Sequence, residues 1–134
     1  MNDKSISSHK SIEPESSVLY IVGTPIGNLS DLSSRALNIL KNVSLIACED
    51  TRQTKKIMIK YEFTNKLISF NKHNSLSKTP KIINELNSGK SIALVSDAGM
   101  PSICDPGEEL VKKAKSNGIN IICIPGPCAV LSAL

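Results

Sequence analysis

The sequence lacks the features that mark membrane proteins, secreted proteins and zinc proteins. No apolar run in its 134 residues approaches the length of a membrane-spanning helix, and residues 1–17 lack the apolar core of a signal peptide. The four cysteines form no CxxC pair and have only His9 and His73 as further ligands, which argues against a zinc site. These absences predict a soluble, cytoplasmic protein with reduced thiols, no membrane association and no bound metal.

The sequence also lacks the common nucleotide-binding motifs. Residues 23–31 read GTPIGNLSD and have neither the GxGxxG spacing of a dinucleotide site nor the lysine of a P-loop. The two glycines still permit a ligand to approach the backbone closely, although Thr-Pro and Gly-Asn are also ordinary turn dipeptides. This segment taken alone is therefore weak evidence for a binding site.

Charge and composition divide the chain into a tail and one domain. Residues 1–17 contain six serines, five charged residues and little to bury, which predicts a disordered tail before a domain at 18–134. Between Arg52 and Lys81, eight basic residues face one acid, Glu62, for a net charge of +7. Such a segment is either an ordinary solvated surface or a site for a polyanion such as RNA.

Hydrophobic periodicity predicts alternating strands and helices. Short runs rich in Val, Ile and Leu indicate buried strands at 18–22, 43–47, 67–70, 91–95 and 119–124. Helical patterns cover 32–40 with Ser30 or Asp31 as N-cap, 52–60, a segment beginning at Thr79-Pro80, and one with Asp105 as N-cap and Pro106 as its first residue. The predicted fold class is α/β, a five-stranded, mostly parallel sheet with helices on both faces.

Two segments at the carboxyl side of predicted strands are unusual. About ten residues separate the strand ending at Val95 from the helix at Asp105-Pro106, whereas two to six suffice for an ordinary connection, and this favours a small-molecule site. Residues 128–134 begin a helical pattern without a stop signal, which predicts that the natural protein continues.

Five motifs, TPIGNLSD, EDTR, His73-Asn74, SDAGMPSICDPG and PGPCA, together resemble a known family. Their order and spacing are similar to those of the bacterial 16S ribosomal RNA 2′-O-ribose methyltransferases that modify a decoding-centre cytidine, within the tetrapyrrole-methylase superfamily. The resemblance covers residues 18–134 and implies the N-terminal, donor-binding domain of a two-domain homodimeric enzyme. It also implies S-adenosylmethionine as methyl donor and the 16S rRNA of the small ribosomal subunit as substrate.

The resemblance assigns a donor site to three of these motifs. The residues it implies are Pro25, Gly27, Ser96, Asp97, Ala98, Gly99, Ile103, Cys128 and Ala129. All follow predicted parallel strands, so they are expected at one edge of the sheet. Asp97 is expected to accept hydrogen bonds from the ribose or ammonium group of the donor and to favour its sulfonium.

Catalytic and RNA-binding residues are less well defined. His73, Asp50 and Glu49 are candidates for a general base, with His73 nearest to a suitable ordinary pKa. The basic segment suggests RNA contacts at Arg52, Lys55 and Lys56, although EDTR is equally suited to capping a helix.

Departures from the family pattern and two alternative functions remain. Met100, Cys104 and Cys128 stand where the family usually has hydroxyl side chains, and weaker binding is expected if those hydroxyls contact donor or RNA. The alternatives are a non-catalytic RNA-binding or dimerisation module and a small-molecule, tetrapyrrole methylase of the same superfamily.

Overall fold

A computed structural model describes residues 12–24, 32–96 and 105–124. The described residues form five strands and four helices in strict alternation. The strands are β1 (Val18–Gly23), β2 (Leu45–Cys48), β3 (Leu67–Ser69), β4 (Ile92–Ser96) and β5 (Asn120–Ile124). The helices are α1 (Ser34–Asn42), α2 (Thr51–Lys60), α3 (Ser75–Asn87) and α4 (Gly107–Ser116).

The strands form one parallel sheet with the order β3-β2-β4-β1-β5. β1 lies between β4 and β5, with Gly23 opposite Ser96 and Val22 opposite Ile124. All six residues of β1 are buried, as expected for a central strand covered on both faces. The predicted α/β class with a five-stranded sheet is confirmed.

Helices cover both faces because alternate residues of each strand point to opposite sides. Leu19 and Ile21 of β1 pack in the cluster that includes Leu86 of α3 and Leu110 of α4. Val18, Tyr20 and Val22 of β1 pack in a second cluster. Its helical members are Ala36, Ile39 and Leu40 of α1 and Ile57 of α2. α1 and α2 therefore lie on one face, and α3 and α4 lie on the other.

The start of α1 differs from the prediction. The expected caps Ser30 and Asp31 lie outside the described residues, and the N-cap is Ser33, whose Oγ accepts from the Ala36 amide at 3.1 Å. A hydroxyl at this position satisfies an amide that has no partner within the helix.

The start of α3 was predicted at Thr79-Pro80, and this is wrong. Asn71 Oδ1 accepts from the amides of His73 and Asn74 at 2.9 and 3.2 Å, and Asn74 Oδ1 accepts from the Asn71 amide at 2.9 Å. These bonds turn the chain directly into a helix at Ser75, so Pro80 lies inside the helix. Local side-chain bonds of asparagine thus replace the proline as the start signal.

The start of α4 is displaced by a smaller amount. Its N-cap position is Pro106 rather than Asp105, and the first helical residue is Gly107. The Leu110 amide donates to the Pro106 carbonyl at 3.1 Å, and this is the first hydrogen bond of the helix. The predicted ends of α3 and α4 are confirmed, because Gly89 and Gly118 follow the two helices with φ angles of +102° and +75°.

Part of the predicted tail contacts the domain. Glu13 accepts two hydrogen bonds of 2.9 Å from Arg35, and its carbonyl accepts one from Asn38 at 3.0 Å. The Glu15 amide donates to the hydroxyl of buried Tyr20 at 2.8 Å. Residues 12–17 are thus tied to α1 and β1, whereas residues 1–11 lie outside the described part, where the disordered tail stays a prediction.

The edges of the sheet are more exposed than the sequence predicts. Within the described residues, β5 pairs with another strand only on its β1 side, and its residue Cys123 is exposed. Cys48 lies on the inner strand β2 and is buried, so the exposure of Cys123 follows from the edge position of β5. No helix in the described ranges is long and apolar enough to cross a bilayer.

Candidate active site

Three of the motifs begin where adjacent strands end. Residues 25–27, 97–103 and 128–129 follow β1, β4 and β5, which are neighbours in the sheet and point the same way. Of the proposed donor-site residues, only Ser96 lies in the described part. The others lie outside it, namely Pro25, Gly27, Asp97, Ala98, Gly99, Ile103, Cys128 and Ala129, as do the departures Met100 and Cys104.

Ser96 is bonded to a residue that sequence reasoning missed. The Thr24 amide donates to the Ser96 carbonyl at 3.0 Å, and Thr24 Oγ1 lies 3.4 Å from the same oxygen. Thr24 is buried although it follows the last residue of β1. These bonds join the carboxyl ends of β1 and β4, so two of the motif-bearing segments leave the sheet from one fixed junction.

A crevice opens at this edge because neighbouring strands lead to opposite faces. β1 and β2 continue into α1 and α2 on one face, whereas β4, which lies between them, continues toward α4 on the other. Ligands of open α/β sheets bind at such a reversal. The described lining consists of Thr24, Cys48, Glu49, Asp50, Gln53, Thr54, Ile57 and Val95, around a volume of about 20 Å³. This space holds about one water molecule.

The floor of the crevice is neutral. Cys48 is 2% exposed, and burial raises the pKa of its thiol, while a hydrogen bond with Thr54 acts in the opposite direction. Its Sγ also lies 3.8 Å from the Ile68 carbonyl. Thr54 is itself 1% exposed, so a thiol and a hydroxyl form the base beneath the two carboxylates of EDTR. Gln53 and Thr54 carried no sequence signal of a site apart from their closeness to EDTR, and Thr24, although part of TPIGNLSD, was not among the residues predicted for the site.

Asp50 is occupied by helix capping and an ion pair. Its Oδ1 accepts from the Arg52 amide at 3.0 Å and from Arg52 Nε at 3.1 Å, and its Oδ2 accepts from the guanidinium at 3.2 Å. These bonds lower the pKa of Asp50, so it stays ionised and is a weaker proton acceptor. The capping interpretation of EDTR is thereby confirmed for Asp50, whereas Glu49 remains exposed at the rim of the crevice.

His73 occupies a different place. It is exposed in the turn between β3 and α3, where its backbone amide donates to Asn71 Oδ1. β3 is the edge strand on the side away from β5, with β2 and β4 between it and β1. His73 is not among the described residues that line the crevice. The structure therefore brings Glu49 and Asp50 together at the crevice and leaves His73 outside it.

The three predicted RNA-binding residues share one face of α2. Arg52, Lys55 and Lys56 are exposed, and exposed Ile59 continues the same stripe at helical spacing. The opposite side of the helix carries Ile57, which packs against the sheet. Arg52 pairs with Asp50, while Lys55 and Lys56 belong to none of the salt bridges formed by the described residues. Those residues also contain no cluster of three or more His, Cys, Asp or Glu suited to a metal.

Residues 18–134 match the family described as tetrapyrrole (corrin/porphyrin) methylases. The chain is 45% identical over 126 residues to the ribosomal RNA small subunit methyltransferase I of Vibrio cholerae, a match that covers 94% of this chain and 44% of that protein. It is 53% identical over 117 residues to the protein of the same name from Bacillus subtilis, covering 87% and 40%. The chain thus spans less than half the length of these curated relatives.

Solved structures share the fold at low sequence identity. Cobalt precorrin-4 methyltransferase, a cobalamin biosynthetic enzyme, has a TM-score of 0.68 at 18% identity, with 82% of this chain and 46% of that chain covered. Uroporphyrin-III-C-methyltransferase from Thermus thermophilus has a TM-score of 0.63 at 19% identity, covering 81% and 47%. These structures share the fold, and the family match covers residues 18–134. The chain therefore belongs to the tetrapyrrole (corrin/porphyrin) methylase family.

Proposed function

We propose that this chain is the donor-binding domain of an S-adenosylmethionine-dependent enzyme that methylates the ribose 2′-hydroxyl of a cytidine in 16S rRNA. The observation that carries the proposal is the meeting of β4, β1 and β5 at one edge, from which the three donor motifs begin, beside the basic face of α2. Relatives named for ribosomal RNA at 45% and 53% identity support RNA as the acceptor over a tetrapyrrole.

The described residues fit a donor held at the end of the sheet. The junction of Thr24 with Ser96 fixes the start of two proposed donor segments, which reduces the loss of conformational freedom on binding. Asp97, one residue beyond Ser96, would accept a hydrogen bond from the ribose or ammonium group. The bound donor supplies a methyl group on a sulfonium, activated for transfer to an oxygen.

The chain contributes mainly by positioning the donor and the 2′-hydroxyl, and a carboxylate accepts the proton that the hydroxyl loses. Alignment of reacting groups supplies about 7–11 kcal/mol in favourable systems. Among the candidate bases, Asp50 is bound to Arg52, and His73 lies outside the crevice. We therefore assign Glu49, exposed at the rim, the role of accepting the proton of the 2′-hydroxyl.

The exposed face of α2 supplies the phosphate contacts. Lys55 and Lys56 lie one turn after Arg52 on the side away from the sheet, where a backbone can approach them. Such contacts contribute affinity without reading sequence. We further propose that the full-length protein acts as a homodimer on the small ribosomal subunit in the cytoplasm, and sedimentation of the gene product tests the dimer.

The test uses the gene product in its natural length, labelled donor and isolated small ribosomal subunits. Mapping is expected to find one labelled methyl group on a cytidine ribose. Asp97→Ala is expected to abolish donor binding in calorimetry. Glu62→Gln, which changes a carboxylate in the loop between α2 and β3, at the amino end of the strands, is expected to preserve donor binding. Glu49→Gln is expected to lower kcat at unchanged donor affinity.

Two outcomes would overturn the proposal in different ways. Labelled porphyrin precursors together with unlabelled RNA would identify a small-molecule methylase. RNA binding without any methyl transfer would identify a non-catalytic module.

A further inference from the structure

A groove lies between the first turns of α3 and α4, separate from the crevice at Thr24. Its volume is about 500 Å³, within the range of about 300–1,000 Å³ that small-molecule sites occupy. α3 follows β3 and α4 follows β4, so both helices begin at the carboxyl edge of the sheet. The groove therefore opens at the same edge as the proposed donor site, on the face covered by α3 and α4.

One part of the groove is apolar. Leu76, Pro80 and Pro106 line it, and Leu76 is 93% exposed, so its side chain is accessible to a ligand. Pro80 has no amide hydrogen, so the carbonyl of Leu76 loses the donor that a helix would normally provide four residues later. Apolar side chains and a carbonyl without its usual helical donor thus occur together.

The other part of the groove carries both signs of charge. Lys72 and Lys113 line it together with Asp105 and Glu109. Glu109 and Lys113 lie one turn apart on α4, yet within the described residues none of the four takes part in a salt bridge. Cations and carboxylates remain accessible to one ligand that has an anionic end and a hydrogen-bond-donating end.

We infer that this groove holds one unstacked nucleotide of the RNA substrate, an inference that rests on the proposed function. Lys72 and Lys113 contact phosphate, Pro80 and Leu76 contact the face of the base, and Glu109 accepts from its exocyclic amino group. Cytosine and adenine carry such an amino group and uracil does not, so the groove discriminates against uridine. This site adds base recognition to the phosphate contacts of α2.

Mononucleotides provide the direct test on this chain. Titration with CMP, AMP and UMP is followed through the methyl signals of Leu76 in nuclear magnetic resonance spectra. CMP or AMP is expected to shift them saturably and to bind at least about fivefold more tightly than UMP, the ratio expected from one hydrogen-bonded pair. Equal binding of all three, or of inorganic phosphate alone at the same affinity, would overturn the inference.

The chain offers matched controls on the same helix. Glu109→Gln and Lys113→Gln are each expected to weaken binding of the preferred nucleotide at least about fivefold, by loss of a charge-assisted hydrogen bond. Glu108→Gln and Lys112→Gln, exposed neighbours outside the groove, are expected to leave it unchanged. Equal effects of lining and neighbouring substitutions would show a general charge effect and contradict a site.

Methylation by the full gene product separates this inference from the proposed function. Glu109→Gln is expected to lower kcat/KM for small ribosomal subunits while donor affinity stays unchanged. If subunits are methylated normally by this variant and no nucleotide shifts Leu76, the groove inference fails and the proposed function stands. If subunits are never methylated, the proposed function fails whatever the groove binds.

Discussion

Cys48 and Cys123 lie on strands of one sheet but differ in burial. Cys48 is buried beneath the crevice, where burial raises the pKa of its thiol, whereas Cys123 is exposed on β5. Since the thiolate is the nucleophile, burial and a raised pKa both slow alkylation. The apolar run around Cys123 predicted a strand correctly, but a sequence pattern does not identify which strand forms the edge.

Alkylation rates test this difference. With iodoacetamide at pH 8, Cys123 is expected to react at least about tenfold faster than Cys48, because reaction of a buried thiol requires local opening. Mass spectrometry of the peptides that contain each cysteine gives the two rates, and unfolding in urea serves as the control in which the rates converge. Comparable rates in the folded chain would contradict the described burial.

Glu13 gives the chain an acid-sensitive contact. The hydrogen bonds from Arg35 lower the pKa of Glu13, so the ionised form stabilises the fold. This stability is present above the ordinary glutamate pKa of about 4.3 and is lost as the pH falls through the lower pKa of the folded state. Because Arg35 is half exposed, the contribution is at most about 1 kcal/mol.

Urea denaturation at pH 7 and pH 3 measures that contribution. Glu13→Gln is expected to lower the free energy of unfolding at pH 7 and to have a smaller effect at pH 3, where more of the wild-type carboxyl is protonated. Glu15→Gln is the control, since Glu15 uses its backbone amide rather than its carboxylate in the contact with Tyr20. An equal loss at both pH values would exclude the charged pair as the cause.

At the scale of the element, strands were easier to predict than helix starts. Strand composition reflects burial in a parallel sheet, so the five runs were placed within about two residues, an ordinary boundary error. The start of α3 depends instead on reciprocal side-chain bonds of Asn71 and Asn74, which are a matter of geometry rather than periodicity. Pro80 suggested a later start because proline favours the first helical position.

Pro80→Ala tests the position of that proline inside α3. Alanine restores a donor for the Leu76 carbonyl and removes a steric conflict, so the free energy of unfolding is expected to rise by about 1–2 kcal/mol. Lys81→Ala, an exposed neighbour, is expected to change it by less than about 0.5 kcal/mol. Circular dichroism during urea unfolding gives both values, and destabilisation by Pro80→Ala would contradict the helical assignment.

At the scale of the molecule, strand order creates the crevice. Thr24, Gln53 and Thr54 come together because β4 lies between β1 and β2, an arrangement that local sequence patterns do not specify. The motif resemblance predicts the donor segments, which stay a prediction, whereas the position of His73 outside the crevice became evident only from the sheet. Residue types therefore suggested candidates for the chemistry, while topology determined which of those candidates meet.

Salt dependence tests the charged face of α2 as a whole. The slope of log K against log salt for single-stranded RNA is about −0.7 per neutralised phosphate, so Lys55→Gln with Lys56→Gln is expected to reduce it by about 1.4. Arg52→Gln is expected to reduce the slope by a smaller amount, because Asp50 already pairs with Arg52. Lys112→Gln with Lys115→Gln on α4 is the control, and an equal reduction by that pair would indicate unspecific attraction to net charge.

The placement of β4 also bears on how this family diversifies. The strands β4, β1 and β5 lead into the proposed donor segments, whereas β2 and β3 lead into the basic helix and the helix that borders the groove. Under the proposed function, substitutions on the exposed face of α2 can change the phosphate contacts while the junction of Thr24 with Ser96 keeps its geometry. Separate selection on these two parts of the molecule would explain how one sheet serves proteins named for ribosomal RNA and for tetrapyrroles.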